Sequence, residues 1–174
     1  KDFGVPQNRQ RIYILAVRAD VAKKYPIGDV FQSVDSLKPS KTRLGDILET
    51  DGEVIEKFTI SDRLWKGHTK RKKEHREKGN GFGYGLFHED SPYCNTISAR
   101  YYKDGSEILI DQSHLGINPR KLIPREAARI QGFPENFIVG EVSDGQAYRQ
   151  FGNSVAVPVV REIANQIFKT YLKM

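Results

Sequence analysis

The feature that most constrains the fold is an apolar stripe close to the end of the chain. Apolar side chains recur there at steps of three and four residues, at Val160, Ile163, Ala164, Ile167, Phe168 and Tyr171. This spacing predicts an amphipathic helix that Pro158 can open and that carries Lys169 and Lys173 near its C-terminal end. Because one whole face of the helix is apolar, it has to pack against a partner surface.

A second apolar segment lies near the start, where residues 11–17 read Arg-Ile-Tyr-Ile-Leu-Ala-Val. Apolar side chains on both alternating faces predict a strand covered on both sides, as in a largely parallel α/β sheet. Such a strand needs neighbouring strands. Without them, the strand and the final helix either pack on each other or leave an apolar surface through which copies of the chain self-associate.

Composition limits the classes of partner and site. The 174 residues include 28 Lys and Arg against 22 acidic residues, a net charge of +6, which favours a polyanion such as nucleic acid as partner. A single cysteine, Cys94, excludes an internal disulfide and a cysteine-based zinc cluster and indicates an intracellular chain. The four histidines have no metal-like spacing, so we expect no metal, and no stretch reaches membrane-spanning length.

The centre of the chain alternates between charged and glycine-rich stretches. Residues 21–40 are predicted to be a connection, and Ser61 is the predicted N-cap of a helix from Asp62 to about Lys78. Glycine at every second position from 79 to 85 predicts a loop or an irregular strand. Residues 96–102 and 107–111 are predicted as the strands of a hairpin around an Asp-Gly turn. We therefore expect a small, β-rich middle domain.

Three short segments occur in a fixed order: Gln7-Asn8-Arg9-Gln10-Arg11, then Arg120-Lys121-Leu122-Ile123-Pro124-Arg125-Glu126, then Gly152-Asn153-Ser154-Val155. Together they resemble the final third of a DNA cytosine-5 methyltransferase, and the resemblance covers nearly the whole chain. The sequence lacks that family's nucleophilic Cys in a Pro-Cys context and its Gly-rich cofactor loop. We therefore expect the C-terminal portion of such an enzyme, inactive alone. The first residue, Lys1 rather than Met, agrees with an excised or truncated product, although tag removal would look the same.

The resemblance implies a chemical role for the first segment. In the family, Cys attacks C6 of a flipped cytosine, S-adenosylmethionine supplies the methyl group, and negative charge spreads toward O2 of the ring. The resemblance assigns Arg11 to the base O2, Arg9 to orienting the catalytic carboxylate, and Gln7 to the local scaffold. Taken by themselves, two arginines at a strand entrance would more simply be solvated.

The second segment resembles the element that supports the recognition domain, and its residues are assigned structural roles: Arg120, Pro124, Arg125 and Glu126. Pro124 should open a helix running to Ile130 or Gln131, with Gly132 as its stop. An Arg-Glu pair in the first turn is expected to form a buried bracket. Ile123 cannot cap this helix, a deficit of roughly 1 kcal/mol.

The third segment, within Gln146-Ala147-Tyr148-Arg149-Gln150-Phe151-Gly152-Asn153-Ser154-Val155, resembles the family's last motif. There the Asn and Ser help line the S-adenosylmethionine pocket, so Asn153, Ser154 and Val155 are the implied cofactor contacts. A polar loop capping the final helix is the simpler alternative.

Between these segments the resemblance implies a target recognition domain, which reads bases in the major groove of double-stranded DNA while a cytosine is flipped out. Arg100 is the expected guanine contact, and the run 70–73 is expected at phosphates. That run could equally be a solvated helix face balanced by Glu74 and Glu77. At least one of Tyr101 and Tyr102 should be core, since successive strand residues point to opposite faces. The implied DNA contacts are Lys70, Arg71, Lys72, Lys73, Tyr84, Thr96, Ser98, Arg100, Tyr102 and Lys103.

The expected architecture is mixed α+β. Residues 1–36 would end a Rossmann-like catalytic domain, residues 37–138 would form the recognition domain, and residues 139–174 would return to the catalytic domain. The pattern around 81–87 and 98–105 most resembles bacterial enzymes that methylate CCWGG or CCNGG sites, so a bacterial cytoplasmic setting is expected. Two alternatives stay open, a natural recognition subunit of a split enzyme and a stand-alone DNA-binding module.

Overall fold

A computed structural model describes residues 1–24, 31, 41–50 and 52–172. The elements follow from patterns that the sequence already shows, with caps and glycines at their ends. The helices are α1 Ala19–Lys24, a 3-10 helix Leu44–Ile47, α2 Gly52–Phe58, α3 Asp62–Glu77, a 3-10 helix Ser113–Leu115, α4 Pro124–Arg129, α5 Asp144–Asn153 and α6 Val157–Ile167, which continues as a π-helix Phe168–Leu172. The strands are β1 Leu86–Phe87, β2 Leu109–Ile110 and β3 Arg120–Lys121.

The sheet is small and mixed. β1 pairs with β2 in parallel, Leu86 opposite Leu109, and β2 pairs with β3 in antiparallel register, Leu109 opposite Lys121. The predicted hairpin between 96–102 and 107–111 is therefore wrong, because the second of these segments finds its partners at β1 and β3. The Asp-Gly turn is present, with Gly105 at φ 65°. With strands of two residues each, the middle of the chain holds less strand than the predicted β-rich domain.

The core lies between this sheet, α4 and α5. Its fully buried side chains include Ile97, Tyr101, Ile108 and Leu122, with Tyr148 of α5 at 2% exposure. Cys94 is also fully buried. Because α4 and α5 pack on the same core as the sheet, they connect the centre of the chain to its last segments.

Residues 11–17 do not form the predicted strand. They lack regular secondary structure, and Ile12 and Ile14 are 90% and 89% exposed. The physical reason is that no segment among the described residues pairs with them, so their backbone groups have no ladder to join. The short helix α1 also occupies the start of what was predicted as a connection; the rest of that connection and the boundary at 36–37 fall outside the described residues.

Local signals predicted several helix ends correctly. Ser61 caps α3, its hydroxyl accepting a hydrogen bond from the Leu64 amide at 3.3 Å. Pro124 opens α4, Gly132 follows it at φ 77°, and Pro158 lies in the first turn of α6. Helices α2 and α5 were not predicted from the sequence, and α5 ends within the third segment, at Asn153.

Candidate nucleic-acid interface

Residues 98–103 form a compact turn, here called the 98–103 loop. The Tyr101 amide donates to the Ser98 carbonyl at 3.1 Å, and the Lys103 amide donates to the Arg100 carbonyl at 2.9 Å. The Ser98 hydroxyl donates to the Glu107 carboxylate and accepts from the Arg100 amide at 3.1 Å. The loop is thus held by hydrogen bonds on both sides, while the Arg100 side chain is exposed.

The two adjacent tyrosines of this loop divide as predicted. Tyr101 is fully buried, donates to the Ile108 carbonyl at 2.7 Å and accepts from the Leu122 amide at 2.7 Å. Its ring meets Tyr148 edge-on, with ring centroids 5.1 Å apart. Tyr102 is half-buried and lies on the outside of the loop. One tyrosine therefore anchors the loop and leaves its neighbour at the surface.

The charged half of α3 lies at the surface. Lys70 and Lys73 approach Glu74 and Glu77 at 3.8 and 3.9 Å, in pairs that are mostly exposed. Such exposed pairs contribute little to stability and are easily exchanged for other anions. Arg71 is 3.5 Å from the Asp104 carboxylate in the turn that follows the 98–103 loop. This contact places the basic helix beside the loop.

Tyr84 is covered by α3. Its ring meets Trp65 edge-on, with centroids 4.8 Å apart, and the Lys72 ammonium lies 4.0 Å above the ring centroid. Lys72 also donates to the Tyr84 carbonyl at 3.2 Å. These contacts tie the glycine-rich stretch to the helix, and they occupy two of the residues expected to contact DNA.

Thr96 and Ser98, which were also expected at DNA, use their hydroxyl groups within the chain. The Thr96 hydroxyl donates to the Asn8 carbonyl at 2.7 Å, and Ser98 bonds Glu107 as described above. Arg100 and Lys103 are exposed, and neither pairs with a carboxylate among the residues that the structure describes. The side chains with open donors are therefore the two cations of the loop.

Arg9 joins three distant parts of the chain. Its guanidinium donates to the Ile97 carbonyl at 3.0 Å, the Gly152 carbonyl at 3.0 Å and the Ser154 carbonyl at 2.6 Å. Burial, with repulsion from Arg11, lowers the pKa of Arg9 below its ordinary value. Arg11 is different: its guanidinium is exposed and donates to the Gln10 carbonyl at 2.6 Å.

Gln7 joins Ile97 to the residues that follow α4. Its fully buried amide donates to the Ile130 carbonyl at 3.1 Å and the Gln131 side chain at 3.2 Å, and its oxygen accepts from the Ile97 amide at 3.0 Å. Gln131 in turn donates to the Phe151 carbonyl at 2.8 Å. Both buried amides are thus used to join the first segment to the other two.

The buried bracket of the second segment exists with a different arginine from the one expected. Arg120, 3% exposed, and Glu126, fully buried, meet through two hydrogen bonds of 2.8 Å. Glu126 also accepts from the amides of Ile123 and Glu49 at 2.9 and 2.8 Å. Arg125, the predicted partner, instead donates to the Phe137 carbonyl at 2.8 Å. Because Glu126 binds the Ile123 amide, it offsets part of the missing cap.

The third segment lies against the 98–103 loop. A Cβ added to Gly152 would stand 2.3 Å from backbone atoms of Ser98 and Ala99, so only glycine allows this approach. Asn153 and Val155 are exposed, and the Ser154 hydroxyl donates to the Phe151 carbonyl at 2.8 Å. Of the three implied cofactor contacts, Asn153 and Val155 are therefore open to solvent, while the Ser154 hydroxyl is used in a local hydrogen bond.

A cavity of about 350 Å³ opens between the first segment and α6. Val5, Ala156, Val159 and Ile163 supply its apolar wall, and Gln7, Arg9 and Arg11 supply polar groups. Further exposed apolar side chains follow the first segment or lie at and along α6: Ile12, Ile14, Val155, Val160 and Phe168. The apolar stripe of α6 is therefore only partly covered.

The structure brings together Arg9, Thr96, Ser98, Arg100, Tyr102 and the 153–155 turn, whereas the run 70–73 lies on a separate helix linked to them through Asp104. Three residues of this region were not predicted from the sequence: Glu107 and Arg149 contact the 98–103 loop, and Gln131 links Gln7 to the Phe151 carbonyl. Arg149 lies three residues before the third segment, and its positive charge is the signal that the sequence offers for it. None of the helices in the described residues has the length and apolar character needed to cross a lipid bilayer.

A family model of C-5 cytosine-specific DNA methylases matches residues 1–169. The chain belongs to this family. It is 59% identical to the Type II methyltransferase M.SsoII of Shigella sonnei over 98% of its own length and 42% of that relative's. It is 56% identical to the Type II methyltransferase M.NlaX of Neisseria lactamica, over 96% of its own length and 49% of that relative's. The chain thus spans less than half the length of these curated relatives.

Solved structures show the same fold at low sequence identity. The S. pombe Dnmt2 methyltransferase superposes with a TM-score of 0.66 at 20% identity, over 96% of this chain and 54% of that one. The Entamoeba histolytica methyltransferase EhMeth superposes with a TM-score of 0.64 at 19% identity, over 99% of this chain and 52% of that one. The mixed α/β architecture expected from the sequence is confirmed at this level.

Proposed function

We propose that this chain is the DNA-recognising portion of a cytosine-5 methyltransferase. The complete enzyme would transfer a methyl group to C5 of a flipped cytosine within a short sequence of double-stranded DNA. What supports this most directly is the convergence at Arg9, which ties the 98–103 loop to the 153–155 turn. A base-reading loop and a cofactor-facing turn fixed to one guanidinium would keep a flipped base aligned with its methyl donor.

The residues keep the roles implied by the family, with adjustments. Arg11, whose guanidinium reaches solvent, is suited to the O2 of a flipped base. The guanidinium of Arg9 is engaged with the Ile97, Gly152 and Ser154 carbonyls and its Nε atom is buried, so Arg9 would act by holding the 98–103 loop and the 153–155 turn in place around the reacting groups. Arg100 and Lys103 would meet guanine and phosphate, and Lys70 and Lys73 would meet phosphates farther along the duplex.

S-adenosylmethionine fits the third segment only in part. Asn153 and Val155 present exposed surface, while Ser154 already donates its hydroxyl proton and could offer only an acceptor. These residues would form one wall of the pocket, and S-adenosylmethionine would supply the methyl group when bound there. The remaining walls and the nucleophile would come from a further portion of the enzyme. The apolar surface around Ile12, Ile14 and α6 is where we place that portion.

The test is tritiated methyl transfer to mixed-sequence DNA. We would assay this chain, the remainder of M.SsoII that the chain does not match, and a mixture of the two. Methyl transfer by the mixture and by neither part alone is the expected result. If the folded mixture binds no DNA and transfers no methyl group, the proposal is wrong. Activity of the chain alone would show that the missing nucleophile is not needed.

The target site is proposed to be of the CCWGG or CCNGG type, from the pattern around 81–87 and 98–105. An enzyme in which this chain replaces the matched portion of M.SsoII should protect cytosines of such sites from bisulfite conversion in host DNA. Methylation confined to an unrelated sequence would rule out this site while leaving the methyltransferase assignment in place.

A further inference from the structure

Helix α5 carries the 98–103 loop along one face. Gly145, Arg149 and Gly152 are spaced four and three residues apart and therefore share that face. A Cβ at Gly145 would be 3.9 Å from Tyr102, the Arg149 guanidinium lies over the Tyr102 ring, and Gly152 abuts Ser98 and Ala99. The two small residues let the helix approach, so that Arg149 between them lies beside the loop.

Arg149 lies over an aromatic ring and is exposed. Its guanidinium carbon is 4.5 Å from the centre of the Tyr102 ring, and this guanidinium lowers the pKa of the tyrosine. A guanidinium that already rests over an aromatic ring loses less side-chain freedom when it binds an anion. The edge of a planar guanidinium matches two oxygens of a phosphate.

The charges around Tyr102 are unbalanced. Arg100 and Lys103 flank Tyr102 within the loop and Arg149 lies over its ring, so three cations lie close to one aromatic side chain. Acidic residues that follow the loop or begin α5 are engaged elsewhere: Asp104 with Arg71, Glu107 with Ser98 and Asp144 with Lys57 at 3.0 Å. Among the described residues, none of the three cations pairs with a carboxylate. This surface is therefore complementary to an anion.

We propose that Arg149, held by Tyr102, binds a backbone phosphate of the target DNA at the junction of the 98–103 loop and α5. This inference rests on the proposed function and adds to it a DNA contact outside the recognition domain. Because α5 ends at Asn153, the same helix would hold the DNA backbone at one point and face the cofactor at its end. A phosphate contact fixes register and orientation and carries no sequence preference of its own.

The test is the salt dependence of DNA binding by the mixture of this chain and the unmatched remainder of M.SsoII. Fluorescence anisotropy would follow a labelled duplex with a CCNGG site and a labelled duplex without one, between about 50 and 200 mM salt. Arg149→Gln is expected to weaken binding to both duplexes by a similar factor, about three- to tenfold. The slope of log K against log salt should fall by about one, the value for one lost phosphate contact.

Two further variants separate charge from position. Arg149→Lys should restore the slope and only part of the affinity, because an ammonium keeps the charge and loses the planar edge that matches two phosphate oxygens. Tyr102→Phe should keep the slope and lower affinity less than Arg149→Gln, because the ring remains and the hydroxyl contact is lost. Arg43→Gln is the matched control, since Arg43 is already paired with Asp46 and Asp90 at 3.2 and 2.9 Å.

The outcomes distinguish this inference from the proposed function. If the unchanged mixture binds DNA and transfers methyl groups but Arg149→Gln keeps the slope and affinity of Arg43→Gln, this inference is wrong and the proposed function stands. A loss confined to the CCNGG duplex would also overturn it, because that result indicates base reading. If the unchanged mixture binds no DNA, both fall together.

Discussion

Among single residues, Gly152 has the least room for change. A Cβ at this position would lie 2.3 Å from the backbone of Ser98 and Ala99, which cannot yield without moving the 98–103 loop. We expect Gly152→Ala to lower the free energy of unfolding by about 1–3 kcal/mol or more, although alanine favours a helix. Urea unfolding followed by Trp65 fluorescence would measure this.

Gly67 provides the matched control for that substitution. It lies within α3, and a Cβ there would meet nothing within 4 Å. Gly67→Ala should therefore raise the free energy of unfolding by up to about 1 kcal/mol, through helix propensity alone. Equal changes in the free energy of unfolding for the two variants would show that the 98–103 loop does not restrict the side chain at position 152.

The Arg120–Glu126 pair makes a second prediction about single residues. Glu126→Gln would remove the charge that faces Arg120 while leaving that guanidinium buried, so we expect a loss of about 3–5 kcal/mol. Glu74→Gln removes the same charge from an exposed pair with Lys70, at 3.8 Å, and should cost at most about 0.5 kcal/mol. Thermal unfolding of both variants would compare them, and similar melting temperatures would contradict the buried bracket.

Among the elements, α3 is fixed to the turn after the 98–103 loop through Asp104. The Asp104 carboxylate accepts from the Ser106 amide at 3.1 Å and lies 3.5 Å from Arg71, while its carbonyl is 3.3 Å from Nε2 of His68. Partial burial alone would raise the pKa of Asp104. Hydrogen bonds from Ser106, the charge of His68 and a hydrogen bond from Arg71 outweigh it and lower the pKa overall.

A lowered carboxylate pKa fixes the sign of the pH effect. The ionised Asp104 stabilises the fold above its unfolded-state pKa of about 3.9, and that contribution disappears as pH falls through the lower folded value. Asp104→Asn should thus cost about 1 kcal/mol at neutral pH and progressively less below about pH 4. Asp90→Asn, at an 89% exposed carboxylate, should change stability by less than about 0.5 kcal/mol. Urea unfolding from pH 7 to pH 3 would contradict the assignment if the Asp104→Asn difference grew in acid.

Elements whose signals are local were the predictable ones. Ser61 caps α3 by accepting a hydrogen bond from the Leu64 amide, three residues away. Pro124 and Gly132 lie at the two ends of the six-residue helix α4. Each of these helix ends can therefore be predicted from residues close by in the sequence. The hairpin failed because β2 finds its parallel partner at Leu86, far back along the chain. The strand at 11–17 failed for a related reason, since alternation reports which faces are apolar and not whether a neighbouring strand is available.

For the whole molecule, the sequence identified the parts of the site and not their junction. The order of the three segments predicted the family, and the family model spans residues 1–169. The partners of Arg9 are backbone carbonyls 88, 143 and 145 residues away, which no side-chain pattern encodes. Glu107 and Arg149 were missed likewise, because their roles depend on which surfaces fold against the 98–103 loop.

Arg9 therefore makes the prediction that tests the whole arrangement. A lysine at this position keeps the charge but cannot reach the Ile97, Gly152 and Ser154 carbonyls together, so Arg9→Lys should cost about 2 kcal/mol. Releasing the 98–103 loop should also speed trypsin cleavage after Arg100 and Lys103, which mass spectrometry of the fragments would measure. Arg11→Lys makes the same change two residues away, at a guanidinium bonded to the adjacent Gln10 carbonyl, and should alter neither quantity. If both variants unfold and are cleaved alike, the loop and the 153–155 turn are held together by the core, and the Arg9 bridge adds nothing to it.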